Sequence, residues 1–210
     1  MKLQIAFDLL DLEKCLEVAK LVENYADSFE IRSALIYKYG IDAVEKFRTA
    51  FPEKEIFVET QIVSQPQDII AMCIKSGANS LSVMAGTSQQ IIHEAATLAH
   101  QKKTSIVLDL LDTTLIGQAA MDATRLGADA ILYHNNYDSQ DEKNFAIEEW
   151  DDLKGNTKLP IHITSHIDRT NIQFIISLKP DVIVIGKNIT KTECPEKEAA
   201  FFFHAIHGNM

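Results

Sequence analysis

The sequence predicts an α/β chain folded as one (β/α)8 barrel domain over residues 1–210, and three observations carry that prediction. β-branched apolar runs alternate with amphipathic helix patterns from one end to the other. Most of these runs are apolar throughout, as parallel strands covered on both faces should be, rather than alternating with polar residues. A weak repeat of about 50 residues is also present: Tyr25-Ala26-Asp27, Gly77-Ala78-Asn79, Gly127-Ala128-Asp129 and Lys179-Pro180-Asp181 each introduce an even-numbered strand.

The first strand is expected over Leu3–Asp8, followed by a helix over Leu12–Glu23 whose Leu12, Leu16, Ala19 and Val22 share one face. Asp11 stands where that helix needs an N-cap. The second unit pairs Ser28–Arg32 with a helix over Ile41–Ala50, and the third pairs Glu55–Gln61 with Pro66–Lys75. Ser80–Met84 leads to Ser88–Gln101, and Ser105–Leu110 to Leu115–Leu126. The last three units pair Ala130–His134 with Lys143–Leu153, Pro160–Thr164 with Asn171–Leu178, and Val182–Gly186 with Pro195–His207. Helices stop before each even-numbered strand, two of them at Gly77 and Gly127, which suit a left-handed cap, and an Asn or Asp then turns the chain into the strand. Eight such units favour a closed barrel. An open doubly wound sheet expects a Gly-rich first turn, and Asp8-Leu9-Leu10-Asp11 contains no glycine.

The formal net charge of −10 argues against nucleic acid as a partner, because phosphate backbones are held by basic faces. No apolar stretch approaches the roughly 18–20 residues of a membrane span, so no membrane partner is expected. The N-terminal run meets Asp8 too early for a secretory signal. Cys15, Cys73 and Cys194 lack metal-type spacing and read as reduced thiols of a cytoplasmic protein.

Several of the strands end on a group that titrates. Ile5-Ala6-Phe7-Asp8, Ile56-Phe57-Val58-Glu59 and Ile106-Val107-Leu108-Asp109 end on carboxylates, as does Ser28-Phe29-Glu30, while Ile131-Leu132-Tyr133-His134 ends on an imidazole. In a β/α barrel that edge is the catalytic mouth, and a buried carboxylate is costly unless it shares a site with a partner. Asp8, Glu30, Glu59, Gln61, Asp109 and His134 are therefore expected to converge, Glu59 and Gln61 pointing the same way from one strand. The alternative is that some of these acids cap the following helix. Glu30 and Glu59 are hard oxygen ligands suited to Mg2+. The ends of strands 7 and 8 are the usual phosphate site of a barrel. Ser165, His166, Gly186 and Lys187 are the candidates there; Ser165-His166 offers donors, but its side chains fill space that glycines would leave open. Tyr137 and Asp138 read equally as loop contacts and as surface. His93-Glu94 begins a zincin-like pattern that Thr97 breaks, and His204 and His207 read as a core or interface face beside Phe201-Phe202-Phe203.

The opening Met1-Lys2-Leu3-Gln4-Ile5-Ala6-Phe7-Asp8-Leu9-Leu10-Asp11 resembles that of 3-hexulose-6-phosphate synthase and 3-keto-L-gulonate-6-phosphate decarboxylase, in the orotidine-5′-phosphate decarboxylase suprafamily. Phe29-Glu30-Ile31, Leu108-Asp109-Leu110, Gly127-Ala128-Asp129 leading to His134, and Asp181-Val182-Ile183-Val184-Ile185-Gly186-Lys187 carry the resemblance through the whole chain. It implies a homodimer, Mg2+, and a sugar phosphate processed through an enediolate. It also exposes departures. The family's Asp-x-Lys-x-x-Asp at the end of strand 3 reads Glu59-Thr60-Gln61-Ile62-Val63-Ser64, its strand 7 Gly-Gly reads Ser165-His166, and its Gly-Thr-Pro after strand 2 reads Arg32-Ser33-Ala34. An amide at position 61 does not titrate near neutrality, so a proton-transfer group is lost. Two expectations follow: a divergent carbon–carbon lyase impaired in the family's usual reaction, or a catalytically inactive barrel with a ligand-binding or regulatory role.

Overall fold

In the computed structural model, which describes residues 1–135 and 145–208, eight parallel strands close into a barrel with β8 pairing back onto β1. The strands are β1 (Lys2–Phe7), β2 (Ser28–Ile31), β3 (Glu55–Ile62), β4 (Ser80–Met84), β5 (Ser105–Asp109), β6 (Ala130–His134), β7 (Ile161–Thr164) and β8 (Val182–Ile185). The helices are α1 (Leu12–Val22), α2 (Ser33–Tyr39), α3 (Asp42–Ala50), α4 (Pro66–Lys75), α5 (Gln89–His100), α6 (Ile116–Leu126), α7 (Ile147–Asn156), α8 (Ile172–Ser177), α9 (Lys187–Thr190) and α10 (Pro195–His207). Every expected strand is present and every expected helix is found within a few residues, except that α7 begins at Ile147 rather than Lys143. Two short helices, α2 and α9, were not expected. Asp11 caps α1, its Oδ1 accepting from Lys14 N at 3.0 Å.

Five of the strands, β1, β3, β5, β6 and β8, carry two apolar sets, which is why these runs show no alternation. The outward set, including Ile5, Phe29, Val58, Leu108, Tyr133, Ile163 and Ile183, packs under the helices in one continuous core. Phe7, Phe29, Phe47 and Phe51 form an edge-to-face cluster within it, with ring centroids as close as 5.0 Å. The inward set is Ala6, Phe57, Val107, Ala130, Leu132, Val182 and Val184. Two residues further along the same strands, this inward row becomes Asp8, Glu59, Asp109, His134 and Gly186.

The internal repeat has a physical basis at the opposite end. Asp27, Asn79, Asp129 and Asp181 each donate their backbone N–H to the preceding odd strand, at Leu3, Ile56, Ile106 and Ile161 respectively. Their side chains accept the backbone N–H of the same four residues at 2.7–2.8 Å. One short polar side chain thus clamps each odd strand to its even neighbour. Gly127 caps α6 in the left-handed region and Gly77 holds φ +96°, as the turn into the strand requires.

Candidate active site at the barrel mouth

The strand-end residues do converge. Asp109 is fully buried, Glu30 and Glu59 are 1% exposed, and His134 is buried. His134 Nε2 lies 2.8 Å from Asp109 Oδ1, and the same oxygen accepts from Leu111 N. Arg32, just beyond β2, bridges the other two acids: Nη1 is 3.3 Å from Glu30 Oε1, and Nε is 3.2 Å from Glu59 Oε2. Ser33 N–H also donates to Glu59 Oε2 at 2.9 Å, while Gln4, itself held by Ser28, donates to Glu30 Oε2 at 2.8 Å.

The charges are mutually felt. Burial pushes the Glu30 carboxyl up to about 7; Arg32 opposes that rise and Glu59 adds to it. Burial works against the Arg32 charge, but Glu30, Glu59, Asp8 and Asp109 outweigh it and hold the guanidinium above its ordinary range. Glu30 also feels His134. The five ionisable groups expected at the mouth therefore form one electrostatic cluster with Arg32 at its centre. Asp8 sits at its edge, with Lys191 Nζ 3.3 Å from Oδ2 and Thr190 donating to Oδ1 at 3.2 Å. The capping alternative applies to Asp11, which leaves Asp8 to the mouth.

A cavity of about 260 Å³ adjoins the cluster, lined by Asp8, Arg32, Thr164, Ser165, His166, Gly186 and Lys187 among others. All four residues expected at a phosphate site border it. Ser165 and His166 hold φ of 72° and 51°, a left-handed conformation that favours glycine.

A family model described as "Orotidine 5'-phosphate decarboxylase / HUMPS family" matches residues 1–202. The chain belongs to this family. It is 29% identical to a 3-hexulose-6-phosphate synthase of Bacillus subtilis, over 90% of this chain and 91% of that one. Among solved structures, a 3-hexulose-6-phosphate synthase from Salmonella typhimurium superposes with TM-score 0.92 at 21% identity, covering all of both chains. The KGPDC from Streptococcus mutans, in complex with a sugar phosphate, superposes with TM-score 0.89 at 18% identity, covering 99% of this chain and 97% of that one. These structural likenesses show the shared barrel.

Against the family pattern, two expectations change. First, Glu30 and Glu59 do share a cation, but it is the Arg32 guanidinium, which stands between them where Mg2+ was expected. Mg2+ demands oxygen ligands at about 2.0–2.1 Å in octahedral array and would be repelled by that guanidinium. Among the described residues no group of three or more His, Cys, Asp or Glu is arranged to hold a metal. The donor set as folded does not fit a divalent cation. Second, β3 shifts register between Val58 and Ile62 and Gln61 takes φ 49°, so the two-residue rule that would align Gln61 with Glu59 does not carry across. The Gln61 side chain hydrogen-bonds to none of the described residues; its N–H donates to Ser82 Oγ. The Phe201–Phe203 run packs in part within the chain: Phe202 is buried, Arg169 stacks over Phe201 at 3.9 Å, and Phe203 packs on Tyr25. His204 and His207 are exposed, which sets aside the core half of their reading and leaves the interface half. Tyr137 and Asp138 lie outside the described residues. Sequence reasoning missed Arg32, Gln4, Thr190 and Lys191 as members of the site. A cation two positions after a strand-end glutamate was the one available signal, and it pointed to Arg32. No helix among the described residues is long and apolar enough to cross a membrane.

Proposed function

We propose that this barrel binds a phosphorylated ketose at its mouth and makes or breaks a carbon–carbon bond beside the sugar carbonyl. Family membership, the hexulose-phosphate synthase relatives and the sugar-phosphate complex of a structural neighbour support the substrate class. The observation that carries the reading is the buried His134–Asp109 pair at 2.8 Å, set against an acid–guanidinium cluster that a cavity of about 260 Å³ adjoins. In this reading Lys187, Gly186, Ser165 and His166 receive the phosphate. In the cleavage direction, the hydroxyl proton on the departing carbon is taken up. The carbon–carbon bond then breaks, the departing carbon leaving as a carbonyl and the electron pair moving to the carbonyl side as an enediolate, whose carbon finally takes a proton. His134 carries both protons, and Asp109 fixes its tautomer and steadies the imidazolium. No step is routed through Mg2+, because Arg32 stands in its place. A homodimer remains part of the reading on the resemblance alone.

A second reading, the inactive barrel that only binds its ligand, is favoured by one observation: the amide of Gln61 stands where the family has a titratable lysine. One experiment addresses both. Turnover of hexulose 6-phosphate and keto-gulonate 6-phosphate is measured for the parent, for His134→Gln, and for Glu59→Asp/Gln61→Lys/Ser64→Asp. A lyase should lose about 100- to 10,000-fold in the His134 variant. If the parent is silent and the triple variant exceeds it by about 100-fold or more, the binding reading holds. Absence of turnover in every form, with no calorimetric binding of either sugar phosphate, would overturn both.

A further inference from the structure

The two acids bridged by Arg32 pose an electrostatic problem with more than one solution. Glu30 and Glu59 are 1% exposed, and each leaves its Oε1 without a hydrogen bond among the described residues. Two buried carboxylates at such proximity cannot both ionise without a cation between them. A barrel mouth can supply that cation as a metal drawn from solution or as a side chain that never leaves. Here the side chain is in place, on the first residue after β2, with one nitrogen ion-paired to each acid at 3.2–3.3 Å. A guanidinium is charged at every accessible pH and matches carboxylates through a planar fork, whereas Mg2+ would have to displace it.

We propose that Arg32 is the resident cation of this site. It replaces a divalent metal, neutralising Glu30 and Glu59, and presents its remaining N–H donors to an anionic oxygen of the ligand. The geometry on the cavity side agrees. The Arg32 side chain keeps 28% of its surface exposed and lines the same cavity as Ser165, His166, Gly186 and Lys187. Arg32 reaches the acids through Nη1 and Nε, and its five N–H donors exceed what those two contacts use. The proposal rests on reading the mouth as a ligand site, but it makes a claim about metal that can fail independently of turnover.

The test is metal binding and thermal unfolding of the intact protein, with Mn2+ as spin probe and Mg2+ or EDTA in the buffer. Wild-type protein should bind no Mn2+ at millimolar concentration, and its Tm should be the same in Mg2+ and in EDTA. Arg32→Gly strands two buried carboxylates, so its Tm in EDTA should fall by about 5–10 °C. Millimolar Mg2+ should recover most of that loss, and one Mn2+ per chain should appear. If Arg32→Gly does not fold, Arg32→Lys keeps one positive charge and should fold without gaining Mn2+. Stoichiometric Mn2+ binding by the wild type, or an Arg32→Gly protein that folds with unchanged Tm and no metal, would overturn the proposal.

Discussion

Ser165 and His166 hold φ of 72° and 51° with side chains attached, and Gln61 and Gln65 do the same beside the β3 bulge. These are four of six such residues among those described, and they flank the mouth. Left-handed backbone costs an ordinary residue roughly 1–2 kcal/mol, and strain of this kind gathers at functional sites. It follows that Ser165→Gly should be neutral or stabilising by up to about 1 kcal/mol, the relief of strain offsetting the added freedom of the unfolded chain. Ser165→Val, β-branched in a region it avoids, should destabilise by about 1–2 kcal/mol. Urea midpoints that order the three proteins differently would refute the strain. This glycine-like backbone was not legible in the sequence, because nothing about Ser-His announces a positive φ. The acids were legible, since each closes an apolar run. The importance of Arg32 was not: an arginine in a βα loop looks like a solvated charge until Glu30 and Glu59 are placed on either side of it.

Among the elements, the strands were the most readable, because parallel barrel strands are apolar on both faces and end abruptly. Helix α2 escaped because it is seven residues long and buries only Leu35, leaving no periodicity to detect. The β3 bulge escaped for the complementary reason: Thr60 and Gln61 look like strand continuation, and the register shift is set by Ser82 on β4, which accepts the Gln61 N–H on its hydroxyl and the Thr60 hydroxyl on its carbonyl. The repeat at the even-strand entrances was visible as a pattern, and the structure supplies its cause. If Asp27, Asn79, Asp129 and Asp181 are clamps, removing one carboxyl should cost about what a helix cap or a buried hydrogen bond costs. Asp181 is the cleanest case, its hydrogen bonds among the described residues running to Lys2 and Ile161. Asp181→Ala should lower the unfolding free energy by about 1 kcal/mol, while Asp181→Asn, which keeps an acceptor, should lose less than half of that. Equal losses in the two variants would show that charge, not the clamp, is what position 181 contributes.

For the molecule as a whole, two buried groups make the barrel respond to pH in opposite directions. His162 lies inside the barrel beside Phe57, toward the end opposite the mouth, and its Nδ1 has no hydrogen-bond partner among the described residues. Burial pulls its pKa down to about 4; Asp181 resists and Lys2 adds a little to the drop. The unfolded chain binds its proton near 6.5, so between roughly 6.5 and 4 the unfolded state holds more protons and stability is lost as pH falls. Glu30 acts the other way. Its folded value of about 7, raised by burial and Glu59 against Arg32 and His134, exceeds the unfolded value of 4.5. Between these limits the folded state holds more protons, so Glu30 makes stability fall as pH rises. The two windows overlap from about 4.5 to 6.5, where the contributions cancel and the wild-type profile gains little slope from either. Each single variant should unmask the other group. Urea unfolding across that window should find that His162→Phe, which keeps a ring against Phe57, becomes more stable on acidification relative to wild type. Glu30→Gln should become less stable over the same range. Each difference should approach about 1.4 kcal/mol per pH unit where one proton separates the states. Profiles of His162→Phe and wild type that run parallel from pH 6.5 to 4.5 would mean that His162 protonates equally well in the folded barrel, and that this end of it is open to water.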